Sequence, residues 1–146
     1  MDTNSSNDLE YRTILPSDLI EIKELHEEFF PVRYVDEFYN DAVQSKGMYG
    51  EPLFSIIIST NKDCAENKNK SNIIGFILCQ FLNTHTCEEK NIFAQNNTPA
   101  KVFYILTLGI KKEYRNMGLA RDLVSKSVAY AEQNHSCGLV IYKNIL

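Results

Sequence analysis

The sequence predicts an α/β domain in which a mixed central sheet is flanked by helices. Five short runs rich in β-branched and aromatic residues are typical of strands, and three stretches with apolar residues at helical spacing are typical of helices. Their order along the chain is β-α-α-β-β-β-α-β, and the best-defined unit is a strand, a tight basic turn, a helix and a further strand. A chain of 146 residues is sufficient for one domain with a substantial core.

The first half of the chain predicts one strand and two helices. We expect the strand at Leu9–Leu15, where Pro16-Ser17-Asp18 stops it and offers caps for a helix from Leu19. The apolar stripe of this helix contains His26, which we interpret as a packed histidine rather than a catalytic one. Pro31 ends the helix because it lacks an amide hydrogen, and Asp36 is expected to cap a short second helix.

The second half predicts four strands and one long helix. Two strands are expected at Leu53–Ser59 and Ile73–Leu82, with a bulge at Gly75, and a central strand buried on both faces at Val102–Ile110. The last helix opens at Gly118, and a final strand follows at Leu139–Leu146. Two polar excursions, residues 61–71 and 83–100, separate the strands. A disordered tail is expected at residues 1–8, with the domain spanning 9–146.

Composition excludes several classes of protein. A net charge of −4, from 15 basic and 19 acidic side chains, argues against a general binder of nucleic acids or anionic membranes. No apolar run approaches the ~18–20 residues of a membrane span, and the polar, acidic start is unlike a signal peptide. The four cysteines form no C-x-x-C pair, which favours reduced thiols and no metal site.

The segment with most chemical information is the Arg115–Ala120 turn, RNMGLA, between the most apolar strand and a helix. A helix N-terminus offers unpaired amide hydrogens and a partial positive charge, which suit a phosphate. Gly118 would let a pyrophosphate approach the backbone, and Arg115 would add a charged donor. The alternative is an ordinary turn with a glycine for steric reasons. Neither a P-loop nor a dinucleotide G-x-G-x-x-G motif is present.

Three ordered motifs extend this interpretation. The R-x-x-G-x-A turn after Leu108-Gly109-Ile110 resembles the acetyl-CoA pyrophosphate loop of the GNAT superfamily of N-acetyltransferases. FPVRY at residues 30–34, followed by Asp36, is similar to the peptide-gripping helix-loop-helix of protein N-terminal acetyltransferases, and YILTLG at residues 104–109 is similar to the strand that carries their base. Both segments resemble NatF-type and NatE-type catalytic subunits, and the long excursion before the strand favours the NatF type.

The resemblance implies a role for each matching position. Tyr104 matches the general base, which acts on the substrate amine through a water, although ordinary aromatic packing remains the alternative for Tyr34 and Tyr104. The positions implied to bind acetyl-CoA are Leu108, Gly109, Ile110, Arg115, Asn116, Met117, Gly118, Leu119, Ala120 and Arg121. Those implied to shape the peptide groove are Phe30, Pro31, Tyr34 and Leu106.

Three departures from the family pattern affect these expectations. Asn144 stands where the family has a catalytic histidine, and asparagine can orient a water but cannot take up a proton at neutral pH. Arg33 replaces an acidic or small residue, so the peptide preference does not carry over directly. The family continues through another helix and two strands, whereas this sequence stops at Leu146, so we expect a GNAT fold that lacks those last elements.

We therefore expect an N-alpha-acetyltransferase that moves an acetyl group from acetyl-CoA to N-terminal amines, with Met-starting N-termini as partners and histone lysines as further acceptors. Two alternatives stay open. One is a shortened, catalytically weak relative that only binds acetyl-CoA or peptide, and the other is a structural fragment without a ligand. A cytoplasmic location is expected, with association to the Golgi surface as the alternative.

Overall fold

The computed structural model describes residues 9–47, 50–60, 72–84 and 101–134, and the backbone of 140–142. The strands are β1 (Leu9–Arg12), β2 (Leu53–Thr60), β3 (Ile73–Asn83), β4 (Lys101–Ile110) and β5 (Val140–Tyr142), and the helices are α1 (Leu19–Phe29), α2 (Asp36–Val43) and α3 (Leu119–Asn134). They form one sheet in the order β1-β2-β3-β4-β5, in which β1 to β4 are antiparallel and β5 runs parallel to β4. The predicted fold class and element order are confirmed.

The two faces of the sheet carry separate cores. On one face α1 and α2 pack through Ile22, Leu25 and Tyr39 against strand residues that include Leu78 and Tyr104. On the other face α3 packs against a second apolar cluster. The predicted burial of β4 is confirmed, because every residue from Val102 to Thr107 is buried. A sheet covered on both faces requires this apolar composition on its central strands.

The first strand and the second helix differ from their predicted boundaries. β1 ends at Arg12 rather than Leu15, because the chain leaves the sheet for a 3-10 turn over Pro16–Asp18. Arg12 donates two hydrogen bonds to the Asp18 carboxylate at 2.7 and 2.9 Å, and the amide of Leu15 donates to the same group at 2.8 Å. Asp36 is the first residue of α2 rather than its cap, and Val35 holds the cap position in extended conformation.

Two bulges interrupt the ladders of the sheet. The predicted one is confirmed beside Gly75, where Ile58 pairs with Gly75 and Ser59 with Ile73. The second was not predicted and lies in β4, because Leu78 pairs with Thr107 whereas Cys79 pairs with Ile105. An extra residue in one strand bends it and re-aims its side chains. The β4 bulge therefore changes which residues face each core along the second half of the strand.

Gly109 is required by packing against α1. A Cβ atom at this position would overlap the Phe29 ring, with Cε2 of that ring only 2.7 Å away. We expect Gly109→Ala to lower the free energy of unfolding by about 2 kcal/mol, because overpacking forces a buried ring or a strand to move. Denaturant titration measures this loss. Adding Phe29→Leu should restore part of it, and a loss unchanged in the double variant would contradict the proposed overlap.

In the described part of the chain, no helix combines the length and the apolar character needed to cross a bilayer.

Candidate active site

A cleft of about 520 Å³ lies where the end of β4 meets the start of α3. Six residues that the sequence analysis assigned to the site share its walls, namely Phe30, Leu108, Gly109, Ile110, Arg115 and Ala120. Phe29 and Glu28 also line it and were not predicted. Phe29 is a wall residue because α1 carries its apolar stripe over β4, a relation between elements distant in sequence.

Along this cleft, the backbone of β4 has no strand partner on its β5 side among the described residues. β4 pairs with β3 as far as Ile110, but in the described part of the chain β5 pairs with β4 only at Phe103, Tyr104 and Ile105. From Leu106 onward, the β5 side of the strand therefore offers amide and carbonyl groups without a strand partner among the described residues. Such groups bind an extended ligand much as a sheet edge accepts an added strand.

The turn after β4 has the geometry of an anion-binding loop. Asn116 and Gly118 both adopt positive φ, 63° and 79°, and alternating backbone of this kind turns successive amides towards a common point. The first backbone bond of α3 runs from the amide of Asp122 to the carbonyl of Gly118 at 3.0 Å, so the amides before Asp122 in α3 have no acceptor within the helix. A Cβ on Gly118 would have no atom within 4 Å, which leaves open space above the loop.

Part of the Arg115 side chain has a structural role in the turn. Its Nε donates to the carbonyl of Ile110 at 3.0 Å, which fastens the turn to the end of β4. Arg115 also lines a smaller cavity of about 290 Å³ beside the loop, together with Asn116, Gly118, Leu119 and Arg121. The remaining guanidinium donors suit a phosphate oxygen. Met117, by contrast, is half exposed at 52% and lines none of these cavities.

A second cavity, of about 350 Å³, opens on the other side of the β4 bulge. Its walls are apolar side chains of α2, the preceding loop, β2 and β4, namely Tyr34, Val35, Phe38, Leu53 and Leu106. Glu37, Asp41 and Lys46 line it as well. Four residues were predicted to form a peptide groove. Two of them, Tyr34 and Leu106, line this second cavity, and Phe30 lines the cleft instead. Pro31 is exposed and lines neither space; its place is directly after the extended cap of α1.

The structure describes one of the two predicted catalytic residues, Tyr104, and not the other, Asn144. Tyr104 is buried, with 3% exposure, opposite Gln80 on β3 and Ile141 on β5. It faces the same core as Leu106, so it lies on the side of the sheet where the apolar cavity opens. Asn144 lies outside the described residues. The roles assigned to both residues stay predictions.

His26 is a buried residue of α1 that packs against α2. It is 2% exposed, and its Nδ1 lies 3.0 Å from the hydroxyl of Tyr39. Its ring centroid is 4.8 Å from that of Phe30 and 4.9 Å from that of Tyr34, so it contacts the residues that line both spaces. The interpretation of His26 as a packed histidine is confirmed, and the structure adds that it supports the walls of the site.

The burial of His26 should make the folded protein less stable at acidic pH. Burial lowers the pKa of His26 from 6.5 to about 4, against a smaller opposing effect of Glu27. The unfolded chain therefore binds more protons between these values, and stability falls as the pH drops from about 6.5 towards 4. We expect about 3 kcal/mol to be lost over this interval, measured by denaturant titration at each pH. His26→Asn should show a shallower dependence, and an equal slope would contradict this origin.

Charge is distributed unevenly around the two spaces. Between Leu19 and Lys46 the chain has seven carboxylate side chains and three lysines or arginines, whereas Lys111–Arg121 has four basic side chains and one acidic one. The Lys111–Arg121 turn is thus positive and the helical side is negative. A bound anion would be attracted to the first region and a cationic amine to the second.

Among the described residues, no group of three or more histidine, cysteine or acidic side chains is arranged to hold a metal ion. Cys79 is a free thiol in the core under α3, and burial raises its pKa to about 12. The other cysteines lie outside the described residues.

The fold and the positive turn after β4 are features of one protein family. The model of the Acetyltransferase (GNAT) family matches residues 19–144, and the chain belongs to that family. This confirms the superfamily to which the turn, the helix-loop-helix and the β4 strand pointed. Relatives within the family include a protein named as a histone acetyltransferase and proteins named as N-alpha-acetyltransferases.

Two curated relatives illustrate the similarity in sequence. The chain is 27% identical over 131 residues to "Histone acetyltransferase MCC1" of Arabidopsis thaliana, covering 88% of this chain and 50% of that protein. It is 27% identical over 134 residues to N-alpha-acetyltransferase 60 of Drosophila melanogaster, covering 82% and 47%. The chain thus spans about half the length of the curated relatives it matches.

The structural comparison agrees with these relatives. The crystal structure of Arabidopsis thaliana NAA60 in complex with acetyl-CoA superposes with a TM-score of 0.75 at 26% identity, covering 92% of this chain and 73% of that one. The same protein has been solved with a bisubstrate analogue. The NatF-type resemblance drawn from the sequence is confirmed at this level.

Proposed function

We propose that the chain is an N-alpha-acetyltransferase domain that moves an acetyl group from acetyl-CoA to the N-terminal amine of proteins. The observation that carries the proposal is the stretch of β4 from Leu106 to Ile110, which no described strand pairs on its β5 side and which leads into the positive turn before α3. The similarity to N-alpha-acetyltransferase 60 and to NAA60 bound to acetyl-CoA supports the same assignment.

The residues present fit acetyl-CoA along the whole cleft. The turn from Arg115 to Arg121 would take the pyrophosphate through its amides and its two arginines. The amide groups of the pantetheine arm would pair with the backbone of β4 beyond Leu106. This path brings the thioester to the β4 bulge, where an amide hydrogen near Leu108 would stabilise negative charge on the carbonyl oxygen, an effect commonly worth ~3–4 kcal/mol.

The acceptor would enter from the apolar cavity. A cavity of about 350 Å³ with aromatic and leucine walls suits one large apolar side chain, which agrees with N-termini that start with methionine. The chain's negative helical side would attract the positive end of such a peptide. With the first side chain held by Tyr34 and Leu106, the amine would lie beside the bulge.

The chemistry is direct transfer. The nitrogen of the neutral amine attacks the thioester carbon, the C–N bond forms, the C–S bond breaks, and the thiolate leaves. An α-amine with a pKa near 8 is about 10% neutral at pH 7, whereas a lysine near 10.4 is under about 0.1% neutral. N-termini are therefore the easier acceptors. Tyr104, as the phenolate, would accept the amine proton through a water and become a neutral phenol. Holding both substrates together would supply much of the remaining acceleration.

Acetyl transfer is tested with purified protein, acetyl-CoA and matched peptides read by mass spectrometry. One peptide of each pair has a free N-terminal methionine, and the other has a blocked N-terminus and an internal lysine. We expect acetylation of the first and little of the second. Stabilisation by acetyl-CoA without any product would instead identify a binding module, and no stabilisation at all would contradict the proposal.

Lysine acetylation is a second candidate activity, because one relative is named a histone acetyltransferase. The blocked peptides test it directly when they carry histone tail sequences. Product on the lysine at a rate similar to that on free N-termini would favour this activity.

A further inference from the structure

A buried hydroxyl lies between the two spaces of the site. Thr107 is 1% exposed, and its Oγ1 has no hydrogen-bond partner among the described residues. The large majority of buried polar side-chain atoms in native structures are hydrogen-bonded, and an unpaired one typically costs about 1–3 kcal/mol. Thr107 also interrupts the most apolar run of the sequence, where a residue such as valine would satisfy the packing.

The β4 bulge determines which way Thr107 faces. Thr107 lies opposite Leu78, which belongs to the core under α1 and α2. Residues directly opposite each other on paired strands share a face of the sheet, so Thr107 faces that core too. Ile105 and Leu108 both belong to the core under α3, although three positions separate them. The extra residue therefore places Leu106 and Thr107 together on the α1 and α2 side.

Thr107 lies between residues that line the two spaces, although it lines neither of them itself. Leu106, one residue before it, lines the apolar cavity, and Leu108 and Gly109, directly after it, line the cleft. Its face is also that of Tyr104, the predicted base. A nucleophile held in the apolar cavity approaches the strand from this face. The groups predicted to hold the thioester are instead backbone groups of Leu108 to Ile110.

We propose that Thr107 is a catalytic residue whose hydroxyl accepts a hydrogen bond from the attacking α-amine and turns its lone pair towards the acetyl carbon. This assignment rests on the acetyl transfer proposed above and extends it. The hydroxyl neither gains nor loses a proton in the reaction, and the amine proton leaves towards Tyr104. Because the hydroxyl is covered in this structure, this role requires the neighbouring side chains to move aside when both substrates bind.

The pair Thr107→Val and Thr107→Ser tests this role by separating stability from activity. Valine keeps the shape and removes the hydroxyl, so the melting temperature should stay the same or rise by about 2–4 °C. At the same time kcat/KM for a Met-starting peptide should fall about tenfold, while the Kd for acetyl-CoA stays unchanged. Serine keeps the hydroxyl and removes a buried methyl group, so it should melt lower and retain near wild-type kcat/KM.

Several results would overturn the proposal. A clear fall in the melting temperature of Thr107→Val would mean that the hydroxyl is already hydrogen-bonded in the free protein. Wild-type kcat/KM in that variant would remove its role in transfer. Weaker acetyl-CoA binding with unchanged peptide kinetics would indicate that the hydroxyl contacts the thioester rather than the amine.

A binding measurement separates failure of this proposal from failure of the proposed function. The probe is a conjugate that joins CoA, through an acetyl linker on sulfur, to the N-terminal nitrogen of a Met-starting peptide. If wild-type protein acetylates no peptide but binds the conjugate, the proposed acetyltransferase activity is contradicted, while the role of Thr107 can still be tested by binding. A tenfold weaker Kd for Thr107→Val then supports its role, and equal Kd values overturn it. No binding of the conjugate by wild-type protein would overturn both proposals.

Discussion

Tyr104→Phe is expected to lower the turnover number for acetyl transfer by about 100-fold or more, because general-base assistance typically contributes 10²–10⁴-fold. The substitution removes one hydroxyl from a residue that is buried next to the β4 bulge, on the side of the sheet where the apolar cavity opens. Its ring, and therefore the packing of that core, stays in place. The affinity for acetyl-CoA should remain within about twofold of wild type, as measured by thermal shift or calorimetry.

Tyr11→Phe is the matched control for this variant. Tyr11 lies on the edge strand β1, and its hydroxyl donates to Asp122 at 3.2 Å on the opposite face of the sheet. Losing that hydroxyl should leave turnover unchanged. Equal turnover in Tyr104→Phe and wild type would remove Tyr104 from the mechanism. A loss of acetyl-CoA binding in Tyr104→Phe would indicate a role in packing rather than in proton transfer.

Gly118→Glu is expected to abolish the thermal stabilisation produced by acetyl-CoA, which corresponds to at least about a 100-fold loss of affinity. Two effects combine at this position. A non-glycine residue at φ 79° costs roughly 1–2 kcal/mol, and the new carboxylate would occupy the open space above the loop, where a pyrophosphate would lie. Repulsion between like charges then opposes binding in addition to the strain.

Two neutral variants separate these effects. Gly118→Gln has the same size and the same backbone strain without the charge, so it should bind more tightly than Gly118→Glu. Gly118→Asn tolerates the left-handed conformation best among residues with a side chain and should bind more tightly still. If all three variants bound acetyl-CoA like wild type, the turn would not be the pyrophosphate site.

The sequence predicted the fold of this protein well because its elements are locally specified. The apolar spacing of α1, the proline at residue 31 and the β-branched runs of β2 and β3 each act over a few residues. The turn from Arg115 to Ala120 was visible for the same reason, since a phosphate loop is a contiguous stretch of backbone. The ends of elements were less accurate, as β1 shows, because the Arg12–Asp18 pair is a side-chain interaction across a turn.

The walls of the site were predicted only where they lie within a motif. Phe29, Val35, Phe38 and Leu53 were not assigned to it, since each is also an ordinary apolar residue of a helix, loop or strand. The small polar side chain of Thr107, within an apolar run, was a signal that could have been used. Without the register of β3 and β4, however, the side of the sheet that it faces was not determined.

The amino-acid sequence by itself determined the order of the strands and helices, the buried central strand and the charged turn that follows it, because local periodicity and backbone preference act between neighbours in the chain. The tertiary structure alone decided which residues of β4 pair with the described part of β5, which residues share a cavity, and which buried atoms of the described residues lack a partner. Those features depend on register, and one extra residue in β4 changes the face of every side chain beyond it. Pairing between distant segments sets that register.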